Sequence, residues 1–245
     1  MSDGSICQVC GASGEPWFEQ GGHSLRRCPD CDLVFLDPMP DAATVDTIYN
    51  DAYGGATEGY FGKVHSKMRR CRRRAGWLAA RSRRGRFLDV GCNGGFMTEA
   101  VRERGFEAVG LDPDPVSIAY AREHFSKNGF VVATAESFEP EGAPFDAVYC
   151  SEVIEHSPDV NRFIAAIAAV MAPGAVLFLT TPDIGHWRRP RDLTAWDGYD
   201  PPSHCLYFSP RNLARLLARH GLSVVKRRFA FKPGIKLLVR KAEDV

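Results

Sequence analysis

Residues 86–105 read RFLDVGCNGGFMTEAVRERG, and this stretch decides the fold. Its apolar beginning predicts a short buried strand, the glycine-rich residues 91–95 predict a turn, and residues 96–104 predict a helix. Glycines in such a turn let the backbone approach a ligand and present free N–H groups at the N-terminus of the helix. The stretch therefore indicates a ligand site between a strand and a helix.

A second strand–helix unit follows in FEAVGLDPDPVSIAYAREHF, whose strand ends at Asp112. An acidic residue at this place can accept hydrogen bonds from both hydroxyls of a ribose, so the two units predict a nucleoside-containing cofactor at the carboxyl edge of a parallel sheet. The turn G-C-N-G-G lacks the G-x-G-x-x-G spacing of the dehydrogenases. Asp89 would also lie poorly beside a pyrophosphate, whereas it suits a ligand with an ammonium group. A nicotinamide-dependent dehydrogenase is therefore disfavoured.

These motifs strongly resemble those of the class I S-adenosylmethionine-dependent methyltransferases, whose first motif is typically D-x-G-x-G-x-G. Asn93 stands where the middle glycine usually lies, and asparagine tolerates positive φ. The resemblance extends from Arg86 to the C-terminus through GLDPDP, ATAESF, FDAVYCSEVIEH and MAPGAVLFLTTPD, in that order. It implies S-adenosylmethionine as the cofactor, with Ala135 and Glu136 beside the adenine. The full set of implied cofactor residues is Asp89, Gly91, Cys92, Asn93, Gly95, Phe96, Asp112, Pro113, Ala135, Glu136 and Ser151.

The pattern of apolar residues predicts an α/β fold, with a doubly wound, mostly parallel seven-stranded sheet of the Rossmann-like type. Strands are predicted near residues 86–91, 108–112, 130–134, 145–151, 175–181, 222–230 and 234–241, and helices near 95–104, 114–127, 159–171 and 209–220. The last two strands are separated only by a short Lys-Pro-Gly break, which predicts a hairpin and an antiparallel final strand. The apolar run from Phe163 is interrupted by Pro173 and Gly174 and is interpreted as a helix, a turn and a strand rather than a membrane span.

The N-terminal region carries two Cys-x2-Cys pairs that are 17 residues apart, a spacing typical of a small zinc ribbon. Their four thiolates, from Cys7, Cys10, Cys28 and Cys31, could complete a closed tetrahedral shell around a structural Zn²⁺. A redox dithiol or an iron site is the alternative. The predicted domains are a ribbon over residues 1–40, a helical linker over 41–85 and the methyltransferase domain over 86–245. The four remaining cysteines are interpreted as small buried apolar residues.

The linker ends in a basic run, residues 63–86, with eleven lysines or arginines and no acidic residue. The simpler interpretation is a solvated helix, because most charge runs are no more than that. The functional interpretation is a patch that attracts a phosphate-bearing or acidic small molecule. Glycines and tyrosines before the run, among them Tyr60, suggest a lid over the methionine end of the cofactor.

The stretch SEVIEHSPDV, residues 151–160, places three ionisable side chains at the end of a predicted buried strand. His156 or Glu155 could remove a proton from the acceptor in an in-line methyl transfer. The E-x-x-E-H pattern also resembles ubiquinone-pathway O-methyltransferases and enzymes that methylate the terminal ribose of small RNAs. That resemblance implies a divalent cation such as Mg²⁺ at Glu152, Glu155 and His156, with His204 completing the set. A loop with only structural roles is the third interpretation.

Composition is that of an ordinary globular protein, with 44% apolar residues and a net charge of +1. The chain opens without the pattern of a secretory signal, so we expect a soluble, cytoplasmic protein without a membrane partner. We expect O-methylation of a small metabolite, such as a sugar or a biosynthetic intermediate. An RNA ribose methyltransferase is the first alternative, although the overall charge counts against it. A non-catalytic zinc-ribbon RNA-binding module is the second. The oligomeric state is not predicted.

Overall fold

The computed structural model describes residues 5–41, 44 and 64–243. The strands within them are β1 (Glu15–Gln20), β2 (His23–Arg27), β3 (Val34–Leu36), β4 (Arg86–Val90), β5 (Glu107–Asp112), β6 (Gly129–Val132), β7 (Phe145–Ser151), β8 (Met171–Thr181), β9 (Leu206–Tyr207), β10 (Leu222–Arg227) and β11 (Ile235–Lys241). The helices are α1 (Val64–Ala79), α2 (Phe96–Arg102), α3 (Pro115–His124), α4 (Val160–Val170) and α5 (Pro210–Arg219). Short 3₁₀ turns lie at Ile154–His156 and Leu193–Ala195.

The larger sheet has the strand order β10-β11-β8-β7-β4-β5-β6. Neighbouring strands from β4 to β8 are parallel, whereas β11 is antiparallel to both β8 and β10. The predicted mostly parallel seven-stranded sheet and its antiparallel final strand are therefore confirmed. The strand order reverses between β4 and β7, and in open α/β sheets ligands bind at the carboxyl ends of the strands beside such a switch point.

Strand β8 begins earlier than the sequence predicts. A turn was expected at Pro173 and Gly174, but the strand already begins at Met171 and continues through both residues. Gly174 has a φ of +72°, and the register between β7 and β8 shifts opposite this irregularity, between Phe145 and Ala147. The expected turn is a bulge within the strand, because a local irregularity can be absorbed while the pairing continues on either side.

Strand β7 is almost entirely buried because helices cover both faces of the sheet. On one face, Tyr149 and Phe178 belong to an apolar cluster with side chains from α1 and α2. On the other face, Cys150 and Leu179 belong to a cluster with side chains from α4 and α5. Successive strand residues thus face different layers, and we call the first layer the α1 face. A run of apolar residues without alternation is what such a central strand requires.

The N-terminal ribbon forms a second sheet with the order β1-β2-β3-β9. Its last strand comes from the distant C-terminal part of the chain, where Tyr207 pairs with Val34 and Leu206 with Phe35. The backbone N–H of Leu36 also donates to the carbonyl oxygen of Cys205 at 3.0 Å. The ribbon is therefore joined to the larger fold by β-sheet hydrogen bonds. The domain bounds given above remain predictions.

Among the helices of the described residues, none combines the length and the apolar character needed to cross a lipid bilayer. The cytoplasmic location remains a prediction.

Candidate active site and metal centre

The turn between β4 and α2 has the backbone that its glycines predict. Gly91, Asn93 and Gly95 have φ angles of +70°, +47° and +77°. A Cβ atom at Gly91 would lie 2.4 Å from Cγ2 of Val153, so only glycine fits there. The Asn93 side-chain oxygen accepts a hydrogen bond from the backbone N–H of Gly94 at 2.7 Å. The asparagine that replaces the family's middle glycine thus adopts positive φ and stabilises the turn locally.

Asp112 ties this turn to the next strand. Its Oδ2 accepts a hydrogen bond from the backbone N–H of Asn93 at 2.9 Å, and its Oδ1 accepts one from Asp114 at 3.0 Å. Each carboxylate oxygen can accept more than one hydrogen bond, so both remain able to accept from ribose hydroxyls. Burial raises the pKa of Asp112. The geometry suits the ribose contact that the sequence predicts, with Pro113 next in the chain.

Asp89 lies beneath the turn and is 1% exposed. Its carboxylate accepts a hydrogen bond from Oγ1 of Thr98 at 2.8 Å, and burial raises its pKa to about 7. Cys92 and Phe96 are each 6% exposed, and the Phe96 ring packs against Phe125 with the centroids 5.6 Å apart. These three residues therefore have structural roles at the turn, and their contacts with a cofactor remain predictions.

The other predicted cofactor residues are more scattered. Ala135 and Glu136 line an open groove together with Phe138 and the end of α4. Ser151 lies at the carboxyl end of β7, and its hydroxyl is 2.7 Å from the hydroxyl of Thr180. Tyr60 lies outside the described residues, so the proposed lid stays a prediction.

A second group of polar side chains forms beyond the carboxyl ends of β7 and β8. Glu155, His156 and His204 each place one potential metal-ligand atom within 4.8 Å of the others. The rings of His156 and His204 are 4.6 Å apart at their centroids. The backbone N–H of Cys205 donates to the carbonyl oxygen of Glu155 at 2.9 Å, which brings His204 beside the 3₁₀ turn. His156 and His204, which are 48 positions apart in the sequence, thus lie side by side as predicted.

Backbone carbonyl groups orient both imidazoles. Nδ1 of His156 is 2.9 Å from the carbonyl oxygen of Ser203, and Nδ1 of His204 is 3.0 Å from that of Gly198. A carbonyl oxygen can only accept, so the hydrogen-bond network assigns a proton to each Nδ1 and a lone pair to each Nε2. Metal-binding histidines are held in this way by their second nitrogen.

Glu155 provides the third donor and is 1% exposed. Its Oε2 accepts a hydrogen bond from Oγ1 of Thr181 at 2.9 Å, whereas Oε1 is buried and has no hydrogen-bond partner among the described residues. Burial, and then the charge of Glu152, raise the pKa of Glu155 well above its ordinary value. A buried carboxylate oxygen without a partner beside two oriented imidazoles fits a divalent cation.

The same arrangement also leaves His156 able to act as a base. Burial, and then the neighbouring His204, lower the pKa of His156 to about 4. The imidazole is therefore neutral at pH 7 and can accept a proton. Its low basicity makes it a weak base on its own.

Glu152 does not join this group, although the predicted cation site includes it. Its backbone has a φ of +59°, and its Oε1 accepts a hydrogen bond from Oγ1 of Thr180 at 2.7 Å. Thr180 and Thr181 are consecutive in β8 and point to opposite faces of the sheet. Glu152 follows the first of them and Glu155 the second, so the two carboxylates are separated. The four residues predicted from the E-x-x-E-H pattern are thus brought together only in part.

The four ribbon cysteines converge as their spacing predicts. Their sulfur atoms all lie within 4.8 Å of one another, with Cys7 and Cys31 3.5 Å apart and Cys10 and Cys28 3.2 Å apart, and none forms a disulfide. Zn–S bonds of about 2.3 Å would place the sulfurs of a tetrahedral site about 3.8 Å apart. Burial raises the pKa of Cys7 to about 11, although backbone N–H groups of the first knuckle oppose the change. The donor set fits a closed zinc site, in which the cation would hold the thiols deprotonated.

Gln8 is a residue that the sequence analysis missed. Its Nε2 donates to the carbonyl oxygen of Pro158 at 2.7 Å, and its Oε1 accepts from the backbone N–H of Val160 at 2.9 Å. This side chain lies inside the first Cys-x2-Cys pair and holds the segment that follows Glu155 and His156. A separation of 150 residues leaves no local signal that could have identified the contact.

Comparison with known proteins identifies the family of the chain. A family described as "methyltransferase domain" matches residues 60–227. The chain belongs to this methyltransferase family. The predicted family is therefore confirmed, as is the expectation that the chain is an enzyme of the methyltransferase class.

Curated relatives of this methyltransferase include two ubiquinone biosynthesis O-methyltransferases. The protein of Hahella chejuensis is 42% identical over 101 residues, which cover 39% of this chain and 42% of the relative. The protein of Methylocella silvestris is 32% identical over 157 residues, which cover 56% of this chain and 58% of the relative. The chain thus spans about half of the length of the curated relatives it matches.

Solved structures share the fold at low sequence identity. The 1,6-didemethyltoxoflavin-N1-methyltransferase of Burkholderia thailandensis, with bound S-adenosylhomocysteine, has a TM-score of 0.61 at 18% identity and covers 94% of this chain and 100% of its own. The magnesium protoporphyrin IX methyltransferase of Synechocystis PCC 6803, also with bound S-adenosylhomocysteine, has a TM-score of 0.60 at 16% identity, with coverages of 82% and 100%. These two likenesses concern the fold.

Proposed function

We propose that this methyltransferase transfers the methyl group of S-adenosylmethionine to a hydroxyl group of a small metabolite. Membership of the methyltransferase family and the O-methyltransferase activity named for its curated relatives support the proposal. A sugar or a biosynthetic intermediate is the acceptor class that we prefer. The observation that carries the proposal is the group Glu155, His156 and His204 beyond the carboxyl ends of β7 and β8, next to the switch point where the cofactor would bind.

The turn after β4 and the end of β5 would bind the cofactor. Asp112 would accept hydrogen bonds from the ribose hydroxyls, and Gly91 lets the backbone pass close to the ligand. Methyl transfer from a sulfonium ion is an in-line displacement that needs alignment and a deprotonated acceptor. The carboxyl edge of β7 and β8 would align the acceptor, and His156 would receive its proton at Nε2.

Alternatively, Glu155, His156 and His204 would hold a divalent cation, and Nε2 of His156 would then be a metal ligand and not the base. Bound there, the cation would lower the pKa of an acceptor hydroxyl. Two imidazoles and one carboxylate favour a transition metal such as Mn²⁺, Fe²⁺ or Zn²⁺ over the predicted Mg²⁺, which prefers oxygen ligands. Glu152 would lie outside this set. For the four ribbon cysteines we propose a structural Zn²⁺.

A terminal-ribose RNA methyltransferase is the second candidate. The pairing of two histidines with a buried carboxylate favours it, because ribose also offers neighbouring hydroxyl groups to a cation. The net charge of +1 counts against a long nucleic-acid substrate. A non-catalytic RNA-binding module would leave the arrangement at Glu155 without a purpose.

The test uses purified protein, S-adenosylmethionine with a tritiated methyl group, and an extract fractionated into small molecules and macromolecules. We expect label in the small molecules, and a loss of at least 100-fold in rate for His156→Ala with S-adenosylmethionine binding retained. His124→Ala, an exposed histidine of α3, is the matched control and should keep the wild-type rate. Label that enters macromolecules and disappears after ribonuclease treatment would refute the metabolite proposal. Failure of the wild type to bind S-adenosylmethionine would refute catalysis altogether.

Metal dependence is tested on the same protein after dialysis against a chelator that leaves the ribbon metal in place. We expect Mn²⁺, Fe²⁺ or Zn²⁺ to restore methyl transfer better than Mg²⁺, because of the two nitrogen donors. Full activity without any added cation would instead support His156 acting alone as the base.

A further inference from the structure

A cluster of positive charges lies on the α1 face, beside the site just described. It is formed by Arg73, Arg74, Arg81, Arg228 and Lys236, and we call it the basic cluster. The first three come from α1 and the residues after it, and the other two from the β10–β11 hairpin. The backbone N–H of Arg228 donates to the carbonyl oxygen of Lys236 at 2.8 Å, so the two hairpin residues are fixed side by side. Residues separated by more than 140 positions thus contribute to one patch.

The described part of the protein neutralises the basic cluster only in part, because Glu152 raises the pKa of Lys236 but forms no ion pair with it. Among the described residues, the arginines that form ion pairs with carboxylates all lie outside the basic cluster. Burial and the neighbouring cations lower the pKa of Arg228 and of Lys236, and at Lys236 the charge of Glu152 opposes the change without reversing it. Bringing five like charges together costs free energy, and an anion bound among them would recover it.

Trp77 holds part of the cluster in place. The guanidinium carbon of Arg81 lies 4.3 Å from the centre of the indole ring, and that of Arg228 lies 4.5 Å from it. Stacking of this kind attracts a cation to an aromatic ring and leaves the N–H groups at the edge of the guanidinium able to bind an anion. Two arginines that would otherwise repel each other are therefore fixed in neighbouring positions.

Hydrogen bonds and strand pairing connect the basic cluster to the edge of the candidate active site. Arg74 donates to the hydroxyl of Tyr149 at 2.5 Å. Tyr149 lies two residues before Ser151, whose hydroxyl contacts that of Thr180 at 2.7 Å. Lys236 is the residue of β11 that pairs with Thr180. The cluster is thus next to the carboxyl ends of β7 and β8, on the face opposite to Glu155.

Exposed aromatic side chains border the cluster. Phe229 and Phe231 follow Arg228 in the hairpin and are 78% and 61% exposed. Arg188 stacks on Phe231, with 4.0 Å between the guanidinium carbon and the ring centre. Such rings can cover the carbon skeleton of an organic anion whose charge lies on the arginines.

We propose that the basic cluster binds the phosphate group of the methyl acceptor, so that the acceptor is a phosphorylated small molecule. The inference rests on the proposed function and names its substrate class. A phosphate monoester carries a charge between −1 and −2 near neutral pH and offers three acceptor oxygens, which suits several guanidinium groups better than one carboxylate does. Glu152 is bound to Thr180 and marks the boundary between the anion site and the transfer site.

Inorganic pyrophosphate is the first probe, and succinate is the carboxylate used for comparison. Each is titrated into the full chain at constant ionic strength, and binding is measured by calorimetry. We expect pyrophosphate to bind at least ten-fold more weakly to Arg228→Gln/Lys236→Gln, because two charge-assisted contacts are lost. Arg69→Gln/Arg83→Gln removes the same charge from the basic run outside the cluster and should bind within two-fold of the wild type. Equal weakening in both double variants would overturn the site, and tighter binding of succinate than of pyrophosphate would overturn the phosphate assignment.

The acceptor itself is tested by treating the small-molecule fraction with alkaline phosphatase before methyl transfer. We expect labelling to fall at least ten-fold, whereas undiminished labelling would overturn the proposal. Short RNA that binds more tightly than pyrophosphate, with a steep salt dependence, would overturn the small-molecule assignment. Binding of S-adenosylmethionine is measured on the same samples, so a failure of the proposed function is separated from a failure of the anion site. Arg73→Gln, which changes an exposed residue, provides a second route if the double variant unfolds.

Discussion

The contact between Gln8 and the segment after the candidate active site can be tested by Gln8→Ala. The substitution removes the hydrogen bond to the carbonyl oxygen of Pro158 at 2.7 Å and the one from the N–H of Val160 at 2.9 Å. Val160 is 0% exposed, so its N–H would lose its partner in a place that water does not reach. A net hydrogen bond contributes about 1 kcal/mol, and an unsatisfied buried N–H costs about 1–3 kcal/mol. The free energy of unfolding should therefore fall by about 2–4 kcal/mol.

Equilibrium unfolding in urea, followed by far-ultraviolet circular dichroism, measures this change. Gln20→Ala is the matched control, because Gln20 is an exposed glutamine of the same ribbon, and its effect should stay within about 0.5 kcal/mol. Gln8→Glu keeps an acceptor for Val160 but turns a carboxylate toward the carbonyl oxygen of Pro158, so it should not restore stability. A Gln8→Ala protein as stable as the control would refute the idea that this side chain docks the ribbon.

Three further predictions address the turn, the histidine pair and the ribbon. Gly91→Ala should destabilise the protein by about 2–4 kcal/mol, because the new Cβ would meet Val153 at 2.4 Å in a backbone of positive φ. Gly105→Ala, with φ +89° and open space around it, should cost only about 1–2 kcal/mol in the same urea assay, and equal costs would contradict the contact argument. Folding lowers the pKa of His156 from 6.5 to about 4, so between these pH values the unfolded chain binds a proton that the folded, metal-free protein does not. The free energy of unfolding should therefore be unaffected by this group above pH 6.5 and should fall by up to about 3 kcal/mol as the pH drops toward 4. His156→Gln should flatten that pH dependence of the urea midpoint, and an unchanged slope would exclude His156 as its origin. After the milder dialysis that removes any cation from Glu155, His156 and His204, a strong chelator should release about one zinc ion per chain, measured with a colorimetric indicator, and expose residues 5–41 to proteolysis. Release of iron or of no metal at this second step would contradict a zinc ribbon.

Local patterns explain why much of the fold and part of the site could be predicted. The turn at Gly91 and the carboxylate at Asp112 follow from residues within one strand–turn–helix unit. The four cysteines converge because each Cys-x2-Cys pair is itself a tight knuckle. The bulge at Gly174 was mistaken for a turn, since a proline followed by a glycine is typical of turns and also occurs at bulges within strands.

Side-chain contacts over long distances in the chain could not be predicted in this way. Thr180 and Thr181 are neighbours in sequence, yet they hold Glu152 and Glu155 on opposite faces of the sheet. The E-x-x-E-H pattern does not predict that the two glutamates lie apart, because their positions depend on the face of the sheet to which each threonine side chain of β8 points. Gln8 likewise shows its role only when the ribbon has docked.

The sequence by itself determined the order of strands and helices, the cofactor turn and the cysteine cluster, because each depends on residues close together in the chain. Only the tertiary structure decided which carboxylate joins His156 and His204, and that the basic cluster combines α1 with the β10–β11 hairpin. It also decided that β9 completes the ribbon sheet. The physical reason is that strand pairing and the alternation of side chains across a sheet bring distant residues together only after the whole chain has folded.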